Sequence, residues 1–158
     1  MSDIEMRAFF LADHGAAVEG KLYVAGGGFT QVVVPGFPAT LPVIYLVGIC
    51  ATRIPVVSAL SLTNGQTAGQ ISHVLEISMR MEGEEEHPLG NITFAVSGQP
   101  GSKAQGCIAI PIMGIEVARA GVISFQLSIG GDQIAACEVQ INHARPAGML
   151  QIPTVRKN

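Results

Sequence analysis

The chain has 158 residues, 48% of them hydrophobic and only 13% charged, with a formal net charge of −3. The charged share is about half the usual one, the length suits one domain with its own core, and the acidic balance argues against nucleic-acid binding by electrostatics. The longest unbroken apolar stretch, Val43 to Ala51, is about half of what a spanning helix needs. No basic segment precedes an apolar run at the N-terminus, so neither a membrane span nor a signal peptide is expected.

In chain order, a strand from Met6 to His14 is followed by a turn and a second strand from Gly20 to Ala25. The triplet Gly26-Gly27-Gly28 comes next, then a short apolar run from Phe29 to Val34, closed by Pro35-Gly36-Phe37-Pro38-Ala39. The Leu-Ala-Asp, Gly-Lys-Leu-Tyr, triple-Gly and Gly-Phe-Pro-Ala blocks, in that order, resemble a family of small bacterial and phage-borne proteins catalogued as a domain of unknown function. The resemblance implies a β-sandwich and no particular activity. It extends to residues 121–141 and is weakest from Arg53 to Gly106.

Val43 to Ala51 is apolar on both faces, which suits a central or an interface strand. Alternation with period 2 is clearest from Ile71 to Met81 and from Ile123 to Ile129, and Ile92/Phe94/Val96, Ile108/Ile110/Ile112 and Cys137/Val139/Ile141 repeat it. Asn64-Gly65 and Gly130-Gly131-Asp132 are hairpin signals. Glu82 to Pro88 and Ser97 to Ala104 are polar loops, and residues 114–120 could form one helical turn at most. These segments predict an all-β, single-domain antiparallel β-sandwich of about nine strands over residues 1–141, immunoglobulin-like or C2-like, with a closed barrel as the alternative. Residues 142–158 carry two prolines and a glycine, and predict an extended C-terminal arm.

Chemistry is sparsely signalled. The glycine triplet leads into a strand-like run without the Lys-Ser/Thr of a phosphate loop, so a bend or bulge is expected there. Asp13 and His14 are neighbours on a strand and point to opposite faces; Asp13 suits a structural corner. His73 falls on an apolar strand face as a hydrogen-bonded core or interface histidine. His87 and His143 have no second ligand at recognisable spacing, and no metal-binding pattern is present. Cys50, Cys107 and Cys137 are an odd number, widely spaced, and are expected as free thiols in a reducing compartment. Neither a catalytic residue nor a cofactor is predicted.

Low charge density predicts apolar surface covered by other protein. Residues 1–141 hold 6 Lys/Arg against 12 Asp/Glu, while the last 17 residues hold three basic residues and no acid. The expectation is a non-enzymatic interaction or structural subunit that self-associates or coats a larger assembly, such as a virion or other particle component, in the cytoplasm or in the particle. The acidic turn (Glu84, Glu85, Glu86) and the basic, apolar arm (Arg145, Met149, Leu150, Ile152, Arg156, Lys157) are the candidate partner-binding residues. A small-ligand or calcium-binding module is the alternative, and an enzyme with an unrecognised site a third.

Overall fold

The structure, a computed structural model, describes residues 4–56 and 69–144. Among these residues every helix or strand element is a strand, twelve in all against the nine expected. They are β1 (Ile4–Ala12), β2 (His14–Val18), β3 (Lys21–Ala25), β4 (Gln31–Val34), β5 (Ala39–Thr40), β6 (Ile44–Arg53), β7 (Gln70–Met81), β8 (His87–Ser97), β9 (Lys103–Ile112), β10 (Glu116–Val117), β11 (Gly121–Ile129) and β12 (Asp132–His143). The protein is therefore all-β, as its period-2 patterning predicts.

Four sheets are formed. The largest has five strands in the order β4-β12-β11-β7-β8, the second three in the order β1-β6-β9, and two small ones pair β2 with β3 and β5 with β10. The long apolar run becomes β6, the middle strand of the three-stranded sheet, paired on both sides in antiparallel register. Its two apolar faces have separate uses. Ile44, Leu46 and Cys50 enter the main core together with Ile108, Ile110 and Ile112 of β9. From the five-stranded sheet the same core takes Leu75, Ile77, Phe125, Leu127, Val139 and Ile141. β9 runs beside β8, and β1 lies against β12, so the two large sheets curve around one core in the manner of a half-barrel.

Three details depart from the sequence expectations, each for a physical reason. Residues 15–18, expected as a turn, form most of β2, because Gly15 lets the backbone approach the underlying sheet closely. Residues 114–120, expected as at most a helical turn, hold the short strand β10, which pairs Glu116 with Thr40 and Val117 with Ala39; a tertiary partner overrides the weak local preference. β4 pairs with β12 in parallel, Gln31 opposite Gln140 and Val34 opposite His143, where hairpin punctuation suggests antiparallel neighbours. This pairing also carries β12 two residues past the expected domain boundary at 141. Asn64-Gly65 and the arm residues Arg145, Met149, Leu150, Ile152, Arg156 and Lys157 lie outside the described residues.

Candidate functional site

The acidic turn joins β7 to β8. Gly83 at φ +80° and the hydrogen bond from the Glu84 amide to Met81 O (2.9 Å) close it. Arg119, in the segment leading into β11, donates to Glu82 O at 2.6 Å and to Glu84 Oε1 at 3.3 Å. Ser78 Oγ donates to Glu86 Oε1. Two of the three candidate carboxylates thus already hold partners within the chain, and Glu85 is left exposed. The outward face beside this turn carries serines among longer polar and charged side chains. Across β7, β11 and β12, Ser78 stands opposite Gln126, Arg80 opposite Ser124, and Ser124 opposite Glu138. Ser78 and Ser124 are buried beneath their longer neighbours on this face.

The other candidate histidines and thiols are dispersed. His73 Nε2 lies 3.5 Å from Thr52 Oγ1, and burial lowers its pKa. Burial pushes the Cys50 thiol up to about 11 and Cys137 up to about 12, so both are protonated and poorly nucleophilic near neutral pH. Cys50 donates weakly to Gly106 O at 3.6 Å. Asp13 and His14 diverge as adjacent residues do: Asp13 packs against Gly26, whereas the His14 ring meets Tyr45 edge-on with centroids 4.9 Å apart. Among the described residues no group of three or more His, Cys, Asp and Glu is placed to hold a metal ion, and no helix is long and apolar enough to cross a membrane.

The most distinctive surface is the β2–β3 hairpin. Its turn is Val18-Glu19-Gly20-Lys21, with φ +50° at Glu19 and +74° at Gly20, the two positive values a two-residue type I′ connection requires. Cross-strand partners share a face. Gly15, Ala17, Leu22 and Val24 therefore form one side of the ribbon, and Ala16, Val18, Lys21 and Tyr23 the other. The first side lies over the outward face of the three-stranded sheet. A Cβ at Gly15 would fall 2.5 Å from Val47 Cγ1 and 3.4 Å from the Ala109 Cβ, so only glycine fits. The Cys107 thiol donates to Gly20 O at 3.3 Å. The second side faces solvent, with Val18 52% and Tyr23 56% exposed.

The hairpin thus carries apolar residues on both faces, with Lys21 beside Val18 on the solvent side. Composition predicts covered apolar surface without placing it. The signal was present in Leu22-Tyr23-Val24-Ala25, four consecutive apolar residues in a strand too short to lie at the centre of a sheet.

These features define an all-β protein in which two sheets share one core and a third ribbon is laid on the outside with an apolar surface of its own. A family of unknown function, DUF6941, matches residues 7–142, and the chain belongs to that family. No curated protein matches it. Among solved structures, a similar one is the Pseudomonas fluorescens alkylpurine DNA glycosylase AlkC bound to DNA containing an abasic site analog, at 7% identity and a TM-score of 0.46. The likeness covers 89% of this chain and 31% of the glycosylase chain, so this chain spans less than a third of that protein's length. A likeness so slight carries neither fold nor function.

Proposed function

We propose that this protein is a non-enzymatic interaction subunit, a sandwich-type β module that self-associates through its β2–β3 hairpin. The observation that carries the reading is the hairpin's solvent face. Val18 and Tyr23 lie together on the solvent side of a two-stranded ribbon, 52% and 56% exposed. Tyrosine is enriched at interfaces because it offers a large rigid contact with a polar tip, and an exposed apolar strand edge is a template for pairing with another chain. The low charge density supports the same reading. Subunits of a virion or other particle are one concrete form such a module takes.

The paired substitution Val18→Ser with Tyr23→Ser tests the assignment. Both positions are exposed, so the variant is expected to keep its melting temperature within a few degrees. Light scattering is expected to give a smaller assembly than the unaltered chain at equal concentration. An unchanged mass would remove the hairpin from the interface.

A further inference from the structure

We infer that the β2–β3 hairpin is a hinged cover over the outer face of the three-stranded sheet, and lifts as a unit while the core stays closed. The hairpin is hydrogen-bonded as a sheet of its own, with neither strand entering the ladder of a larger sheet. An isolated two-stranded ribbon is marginally stable in water, so what it rests on holds it down. The resting contacts include Gly15 on Val47, Ala109 and Tyr45, the Cys107 thiol on Gly20 O, and the His14 ring on Tyr45, and neither strand shares a backbone ladder with the sheet below.

The two ends of the hairpin form the hinge. Asp13 breaks the chain between β1 and β2. On the other side Gly26 and Gly28 have φ of +62° and +80°, a region glycine enters freely and other residues rarely. Two backbone hydrogen bonds tie the ends to each other, Asp13 N to Gly26 O at 3.4 Å and Gly28 N to Leu11 O at 2.8 Å. A Cβ at Gly26 would collide with the Asp13 carboxylate, so the hinge keeps its shape only with glycine there. Beneath the tip, which the Cys107 thiol tethers through Gly20 O, a cleft of about 370 Å³ lies between Glu19 and Gly20 on the hairpin and Phe94, Val96, Gly106 and Cys107 of β8 and β9. The tip is therefore undercut.

The hairpin covers a surface separate from the core. Val47 is 0% exposed, yet it lies outside the core cluster that takes Leu46 and Cys50 of the same strand. Val47 and Cys50 are three residues apart and face opposite sides of β6. Lifting the hairpin uncovers Val47 with Ala109 and Tyr45, whereas uncovering Cys50 requires the core to open. Local openings of this kind cost less than global unfolding. The cover thereby sets how much apolar area the protein presents.

The opposed positions supply the test. In the full-length Val47→Cys variant, alkylation in native buffer is followed thiol by thiol by peptide mass spectrometry, each rate divided by its rate in denaturant. The introduced thiol is expected to react about tenfold or more faster than Cys50, and with far less dependence on low urea. Equal rates with equal urea dependence would mean that position 47 opens only with the core, and would overturn the proposal. Ala109→Cys reports on the same face should Val47→Cys fold poorly. Adding Gly26→Ala is expected to speed reaction at position 47 several-fold and to leave Cys50 unchanged; no change at position 47 would overturn the hinge. The rates are read at a low and a high protein concentration, so lifting of the hairpin in the dilute chain is judged apart from self-association, and either reading can fail while the other stands.

Discussion

His73 joins the two large sheets at the level of a single residue. Its ring reaches Thr52 on β6 from β7, and partial burial lowers its pKa from 6.5. The folded state then prefers the neutral ring, so below pH 6.5 the unfolded chain binds the extra proton first. Stability from this group is present in full above pH 6.5 and is lost as pH falls through the lowered folded value. Urea unfolding from pH 8 to pH 5 is expected to show a decline that flattens in His73→Gln; an identical profile in the variant would exclude the role. The Arg119 contacts with Glu82 O and Glu84 Oε1 are half-exposed. Arg119→Ala is accordingly expected to cost only about 1 kcal/mol in urea unfolding. The alternating pattern places His73 on the apolar face of its strand, but its partner Thr52 is distant in sequence and unmarked there. The same holds for Arg119, which nothing local connects to the acidic turn.

Secondary structure is legible in the sequence where one face of a strand is buried and the other wet. β7, β11 and β12 follow their alternation closely, and Gly130 and Gly131, at φ +57° and +85°, supply the connection their spacing predicts. The strands that escape detection lack that contrast. β2 contains Gly15-Ala-Ala, which has neither alternation nor β-propensity and is held by the sheet beneath it. β10 is two residues long, and its partner is the equally short β5. The small side chain at Gly15 lets the hairpin lie flat. Gly15→Val is expected to strain the contact with Val47 and cost roughly 1–3 kcal/mol in denaturant unfolding; a neutral effect would mean that the hairpin does not rest there.

The whole molecule joins its local hairpins, β2–β3, β7–β8 and β11–β12, through distant pairings. β1 joins β6, β6 joins β9, and β4 joins β12 more than a hundred residues further along. The all-β class is legible because each of the long strands carries its own pattern. The pairing of β4 with β12 is not, since parallel neighbours leave no local turn to mark them. The same gap hides the proposed interface: low charge density is the ground for expecting covered surface, but only the fold sets the β2–β3 ribbon on the outside with apolar residues on both sides. Self-association is the central claim, and sedimentation velocity of the unaltered chain over a wide concentration range tests it most directly. The account predicts species at multiples of the 16.5 kDa chain mass that grow with concentration. A single 16.5 kDa species throughout would contradict it.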